Sequence, residues 1–421
     1  MNIAPSLEMA RENGKDAVST PLKVCLHVLG RARSDVRALR AASALNEAGY
    51  APTIVDIDGE QEGKPPVETI SGVSVRHIGV PASFLATRFK RRVLLRAARM
   101  FLQSAWQLLQ TPADIYHALD LPALFACYIA ARLRRKPLIF EAYELPLSTL
   151  PSSELSVGRK LLHLLLKPLL AHILPRCAAV ITVSPPIVEE MKRRYHLLNV
   201  ALVRNIPEYR HRQKSDCLRR YLNVGPEVRI ALYQGNIQPD RQLDRLVRAA
   251  AFLQDNTVIV IMGANVGTTQ QQLESLIESE GVGDRVKIIP PVPYDELFTW
   301  TASADIGLIV YAADYSPNVQ MMLPNKLFEY MMAGLPVLCS PLEAIVDVVH
   351  THQIGQVLPS LASSDIAAAI NRMLDDPLSL SAMREHALEA AREEYCWEKE
   401  HSRLLSLYQA LEQKDQCLCV V

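Results

Sequence analysis

The stretch LPNKLFEYMMAGLPVL, residues 323–338, decides how this chain is read, because it opens a helix, closes it and begins a strand in one short run. Pro324 suits a helix start, where a missing N–H costs nothing, and Gly334 and Pro336 end the helix before the apolar residues 337–339. Lys326 therefore falls in the first helical turn. The free N–H groups and positive dipole end found there disfavour a further cation unless an anion binds it. Glu329 follows three residues later on the same face, so two readings stand: a solvated surface pair, or a cation and a carboxylate arranged about a bound anion.

The alternation of strand and helix continues outward from this stretch. Residues 228–233, 257–262, 286–289, 306–310 and 337–339 are apolar runs of strand length, each followed by a turn and a helical pattern. Runs at 23–29, 53–57, 115–117, 137–141 and 179–183 do the same in the first half, with helices over 35–48, up to Arg134, and in a leucine-rich segment at 161–174. Such βαβ order means parallel sheets, and predicts an α/β protein of two doubly wound, Rossmann-like domains facing across a cleft. The boundaries read as a disordered tail 1–20, a first domain 21–207, a charged linker 208–226, a second domain 227–395, a closing helix 396–412 that crosses back to the first domain, and a tail 413–421.

A chain of 421 residues with 49% hydrophobic content is too long for one core and too apolar for disorder. Its 45 basic and 45 acidic residues cancel, which excludes a global field for nucleic acid and leaves anion binding to local arrangements. The eight cysteines, at 25, 127, 177, 217, 339, 396, 417 and 419, form no CxxC pair and read as reduced thiols. Cys417-Leu418-Cys419 is out of register for a prenylation signal. Residues 1–20 lack the apolar core of a signal peptide, and 161–174 is interrupted by His163, Lys167, Pro168 and His172 and is too short to span a bilayer. A cytoplasmic location is expected.

The first strand of the second domain runs into Gln234-Gly235-Asn236-Ile237-Gln238-Pro239-Asp240-Arg241, with a helix expected over 242–251. Arg241 is then a second cation at a helix start. Together with Lys326 it suggests a clamp on a diphosphate, against the alternative of surface cations paired with Asp240 or Asp244. Gly263 ends a strand, either to admit a close backbone approach or as an ordinary turn glycine. Val292-Pro293 offers backbone polar groups to a base edge, or is a plain loop.

These segments, with Ala304-Asp305-Ile306-Gly307-Leu308 and the closing Tyr395-Cys396-Trp397, resemble the second domain of the group 1 (family 4) glycosyltransferases, retaining enzymes of the GT-B fold. In the first half, Asp114-Ile115-Tyr116-His117-Ala118-Leu119-Asp120, residues 137–145, Val180-Ile181-Thr182-Val183-Ser184 and Arg204-Asn205-Ile206-Pro207 look like that family's counterparts, and the likeness spans 21–412. It implies that 21–207 faces the acceptor and 227–395 binds the nucleotide sugar. Arg241 and Lys326 would hold the diphosphate and Glu329 the ribose, with Gly235, Asn236, Gly263, Val292, Pro293, Pro324 and Asn325 around the donor. Fixed cations at the leaving phosphate do what a metal does elsewhere, so no metal and no cofactor beyond the donor are expected. A UDP-sugar is favoured over a GDP-sugar. Asp56-Ile57-Asp58 has the DxD form of a metal site in a different glycosyltransferase fold, yet it ends a strand here and reads as structural.

The chain departs from the family pattern in places. Met321 stands where many members carry an acid eight residues before the glutamate, and Tyr143 stands where they place a histidine near the reacting sugar, with Glu144 beside it. Tyr143 and Glu144 are the candidate catalytic residues of the first domain, alongside Arg241 and Lys326 in the second, unless they merely form a turn. Gly30-Arg31 replaces the usual glycine pair on the acceptor side, where Asp120 is a further candidate; His117 reads as a buried histidine.

Arg88, Arg92, Arg96 and Arg99 recur at helical spacing with Phe89, Val93, Ala97, Phe101 and Trp106 beside them, either a helix on anionic lipid or a solvated domain face. The sequence thus predicts a metal-independent retaining glycosyltransferase acting on a saccharide or lipid-linked acceptor in surface polysaccharide or glycolipid synthesis, cytoplasmic or peripheral on the inner membrane face. A non-catalytic sugar-nucleotide-binding scaffold and a sugar-nucleotide 2-epimerase of the same fold are the alternatives.

Overall fold

The computed structural model describes residues 20–58, 66–79, 90–151, 155–210 and 214–418, with the side chains of 90–96 and 414–418 excepted. The expected tail 1–20 lies, but for Thr20, outside the described residues, as do Arg88 and Phe89. Two sheets carry the fold. The first contains β1 (Lys23–Val28), β2 (Ala51–Asp58), β3 (Val67–Ile70), β4 (Val73–Gly79), β5 (Ile115–Leu119), β6 (Leu138–Ala142), β7 (Ala179–Thr182) and β8 (Val200–Leu202), in the order β3-β4-β2-β1-β5-β6-β7-β8. The second contains β9 (Arg229–Gln234), β10 (Thr257–Met262), β11 (Val286–Ile289), β12 (Ile306–Ile309), β13 (Val337–Cys339) and β14 (Gly355–Val357), in the order β11-β10-β9-β12-β13-β14. All ladders are parallel except β3 with β4. Every residue of β5, β6, β7 and β10 is buried, because helices cover both faces of a parallel sheet.

Several helices begin at side-chain caps. Asp35 accepts the N–H of Ala38 at 2.9 Å ahead of Val36–Glu47, and Ser184 and Ser316 cap Pro185–Tyr195 and Pro317–Met321. The hairpin β3–β4, turned by Ser71 and Gly72 at positive φ, and the edge strands β8 and β14 add to the expected elements. The passage expected as a linker contains the helix Cys217–Leu222, whose Leu218 is buried in the second domain's core. Arg241 also differs from expectation. It ends a 3₁₀ turn, Pro239–Arg241, and left-handed Gln242 separates it from a helix that runs only over Leu243–Ala249.

The two domains touch on both sides of a cleft. On one side Arg40 Nη2 donates to the Tyr294 hydroxyl at 2.7 Å. On the other, the Leu145 N–H donates to Asn318 Oδ1 at 2.9 Å and the Ser184 hydroxyl to the Met321 carbonyl at 2.5 Å. The last helix, Trp397–Leu418, returns to the first domain, where the Tyr408 hydroxyl lies 2.8 Å from His117 Nδ1 and buried Glu400 accepts the N–H and the Nη1 of Arg204.

Candidate functional site

The carboxyl ends of β1, β5, β6 and β9 open on this cleft, which is where ligands bind doubly wound sheets. Two cavities lie side by side in it, of about 410 Å³ and 510 Å³. The smaller is lined by Gly235, Asn236, Arg241, Pro324, Asn325, Lys326 and Glu329 from the second domain, and by Arg37, Tyr143 and Glu144 from the first. The larger is lined by Gly30, Arg31, Asp35, Arg37, Arg40 and Asp120, and shares Tyr143, Asn325 and Glu329 with its neighbour.

Lys326 is the second residue of the helix Asn325–Met332, which Pro324 precedes in extended conformation. Its side chain is 7% exposed and Nζ has no hydrogen-bond partner among the described residues. Instead Nζ sits 3.7 Å from the centroid of the Tyr233 ring and 5.4 Å from that of Tyr311, and Arg241 Cζ lies 5.0 Å from the same Tyr311 ring. A cation–π contact contributes roughly 0.5–2 kcal/mol, less than the several kcal/mol that desolvating an ammonium costs. Burial and the charge of Arg241 accordingly push the Lys326 ammonium well below the usual lysine range. Arg241 itself meets Asp240 at 3.3 Å. The surface pair Lys326/Glu329 of the sequence reading does not form: the Glu329 carboxylate accepts from Gln234 Nε2 at 2.5 Å, while Gln234 Oε1 takes the Thr301 hydroxyl at 2.6 Å.

Gly235, at φ 130°, keeps the loop beneath Lys326 open, since a Cβ there would stand 3.4 Å from Nζ in a conformation L residues rarely adopt. Gly263 serves that loop. A Cβ on it would come 1.8 Å from the Gly235 carbonyl oxygen, so its smallness lets β10 pass the turn.

On the facing wall Tyr143 turns its hydroxyl to Asp35 Oδ2, 3.3 Å away, and its ring lies 5.2 Å from Arg37 Cζ. Burial and the nearby Glu141 and Asp35 carboxylates hold the phenol well above its usual range, so it stays protonated. Arg37, buried, donates Nε to Glu141 and Nη2 to the Val203 carbonyl at 2.7 Å, and its Nη1 has no partner among the described residues. Glu141 Oε2 also lies 3.0 Å from His117 Nε2. Although burial raises the Glu141 carboxyl, Arg37 and His117 outweigh it and bring the value down to about 2. His117 Nδ1 lies 2.8 Å from the Tyr408 hydroxyl, so the ring stands between that hydroxyl and the Glu141 carboxylate. Asp120 adopts φ 66° and ψ 166°, a region otherwise kept almost entirely to glycine, and burial raises its carboxyl. Glu144 is raised by its surroundings and by the charge of Asp120.

A family model described as "Glycosyl transferases group 1" matches residues 217–394, and one described as "Glycosyl transferase 4-like domain" matches 34–205. The chain belongs to the group 1 glycosyltransferases. Among curated relatives, the D-inositol 3-phosphate glycosyltransferase of Thermomonospora curvata is 26% identical over 204 residues, 46% of each chain. One from Catenulispora acidiphila is 26% identical over 205, 46% of this chain and 47% of that one. The chain thus matches about half the length of these relatives. The GT-B architecture is shared with sucrose-phosphate synthase from Thermosynechococcus elongatus (TM-score 0.75, 17% identity, 93% of this chain and 100% of that one). It is shared too with Anabaena HepE in complex with UDP-glucose (TM-score 0.69, 16% identity, 92% and 100%).

Of the residues singled out from the likeness to group 1 glycosyltransferases, Gly30, Arg31 and Asp120 line the larger cavity. Tyr143, Glu144, Gly235, Asn236, Arg241, Pro324, Asn325, Lys326 and Glu329 line the smaller. Gly263, Val292 and Pro293 line neither; Val292 packs against the core and Pro293 precedes the helix Tyr294–Thr301. Met321 turns away from the smaller cavity to pack on the first domain, and Met322 lines it instead. Asp56 is structural, with one oxygen on the Ala32 N–H and the other on His77 Nδ1. The sequence reading missed Arg37, Arg40, Gln234, Tyr233 and Tyr311. Arg37 had a signal, a cation in the first turn of a helix, as Lys326 has.

Proposed function

We propose that the chain transfers a sugar from a nucleoside diphosphate donor, a UDP-sugar before a GDP-sugar, to a saccharide or lipid-linked acceptor, with retention at the anomeric carbon and without a metal. One observation carries this: the ammonium of Lys326 is buried beside Arg241 with no acceptor among the described residues, an arrangement that a diphosphate completes. In this reading Lys326 and Arg241 take the phosphate oxygens and Glu329 the ribose hydroxyls. As the glycosidic bond breaks, the sugar becomes oxocarbenium-like and charge gathers on the departing phosphate, where fixed cations lower the barrier. The acceptor reaches the sugar from the larger cavity, past Tyr143. A UDP-glucose complex of a protein with this fold supports the donor class. Surface polysaccharide or glycolipid synthesis at the inner face of a membrane is the setting in which such an acceptor occurs.

Donor breakdown and transfer assayed over UDP-, GDP- and ADP-sugars test the reading. Release of nucleoside diphosphate from one donor, with the anomeric configuration kept in the product, is the expected result. Tyr143, its hydroxyl turned to Asp35, favours a second reading, a sugar-nucleotide-binding scaffold. Tight nucleotide binding without turnover would establish that instead, and interconversion of the donor sugar without an acceptor would make the protein an epimerase.

A further inference from the structure

The helix Val157–Ile173 holds to the protein by little more than its last turns. Leu170 and Ile173 are its buried residues, whereas Leu161, Leu164 and Leu165 are 58%, 67% and 63% exposed. Its first three turns present leucine to solvent. Three further helices share its core cluster on the same face of the first sheet: Pro185–Tyr195, whose Glu189 and Glu190 are paired with Lys192, Arg193 and Arg194, and Lys90–Gln110 and Leu121–Arg134, whose outer surfaces add Trp106 and Leu133, also about two-thirds exposed. An apolar surface of this extent marks an interaction site.

Charge says what covers it. None of the 21, 14 and 17 residues of Lys90–Gln110, Leu121–Arg134 and Val157–Ile173 is Asp or Glu. Their described basic side chains are Arg99 in the first, Arg132 and Arg134 in the second, and Arg159, Lys160 and Lys167 in the third, in a chain whose formal charge is zero. A second copy docked through this face would set cations against cations. An anionic bilayer meets both demands, with leucine and tryptophan entering the interface and the long basic side chains reaching the headgroups.

We propose that this three-helix layer is a membrane-docking face, seated through the helix Val157–Ile173 on anionic phospholipid. No helix among the described residues is long and apolar enough to cross a membrane, so the contact lies in the interface. Position matters too. The helix follows β6, whose carboxyl end carries Tyr143, and in a parallel sheet it runs back from that end, so its exposed first turns lie at the cleft end of the domain. Resting on the proposed transferase activity, this deepens it: the acceptor is anchored in the same bilayer and reaches the larger cavity from its surface.

Co-sedimentation of the full chain with vesicles of phosphatidylcholine and phosphatidylglycerol in equal parts, and with vesicles of phosphatidylcholine alone, tests the proposal. Binding is expected to the first at low salt and to be lost at high salt. Each basic group at such a surface contributes roughly fivefold, so Arg159→Gln, Lys160→Gln and Lys167→Gln together should weaken partitioning about a hundredfold. Leu161→Asn with Leu165→Asn should weaken it at least tenfold without changing UDP affinity. Failure of the wild-type chain to sediment with the anionic vesicles overturns the proposal. So does a stable dimer that the leucine substitutions dissociate, since the face would then be a self-interface. Nucleotide binding by calorimetry keeps the questions apart: vesicle binding without affinity for any sugar nucleotide sinks the activity and spares the docking face, and the converse does the reverse.

Discussion

Lys326 shows what the site costs. Its amino group is buried against Tyr233 with Arg241 near, so in the protein without its anion burial and the neighbouring cation disfavour its charge at the expense of stability. Lys326→Met removes the desolvation penalty and keeps the volume. It should raise unfolding stability by about 1–2 kcal/mol in a denaturant titration while reducing transfer by roughly 10²–10³-fold; a destabilised variant would show that the lysine supports the fold. Reading the sequence placed this residue in a first helical turn and left a solvated surface pair open, whereas the structure buries it. Proton linkage offers a second check. Because burial and Arg241 depress the lysine and a bound diphosphate would restore it, nucleotide binding should take up a proton, and affinity should fall as pH rises. Calorimetry in buffers of differing ionisation enthalpy counts that proton, and an identical count in Lys326→Met would refute the assignment.

Among elements, the helix Trp397–Leu418 has most to lose from a single change. Glu400 is fully buried and accepts from the N–H and Nη1 of Arg204, with Arg403 at 2.5 Å, so the helix is joined electrostatically to the strand end that leads into the cleft. Glu400→Ala leaves the Arg204 guanidinium buried without its main partner and should cost about 3–5 kcal/mol, read from the denaturation midpoint. Helix Asn325–Met332 was legible because its start and stop are written locally, in Pro324, Gly334 and Pro336. The hairpin β3–β4 had a signal in Ser71-Gly72, but its strands are short and polar enough to pass for loop. Helix Cys217–Leu222 was hidden by charge: four apolar and two arginine positions look like a linker until Leu218 finds the second domain's core.

The whole molecule carries its acid sensitivity in the buried chain Arg37–Glu141–His117–Tyr408, which ties the helix Val36–Glu47, the first sheet and the C-terminal helix together. Glu141 is depressed to about 2 in the folded state from an unfolded value of 4.5. A carboxyl lowered by folding contributes stability above its unfolded value, and that stability is lost as pH falls from there toward the folded value. His27, buried with Nδ1 on the Val55 carbonyl, is lowered from 6.5 to about 4, so charging it in the unfolded chain erodes stability over the window above. Melting temperature should therefore decline in two stages on acidification, the lower one flattened in Glu141→Gln. A single stage unchanged by that substitution would remove Glu141 from the account.

By itself the sequence determined the two α/β domains, their order and the first-turn lysine, because periodicity, caps and turn residues act over a few positions along the chain. It also marked Arg241, Glu329, Tyr143 and Asp120 as residues at strand and helix ends, where cleft ligands are met. Only the tertiary structure decided which of these stand together. Glu141 is 104 residues from Arg37 and Tyr408 is 291 from His117. Tyr233 and Tyr311 become neighbours of the two cations through the order in which strands lie in the second sheet. Whether a lysine is solvated or buried, and whether leucines on a helix face a sheet or water, depends on what the rest of the chain brings beside them, and local sequence carries no record of that.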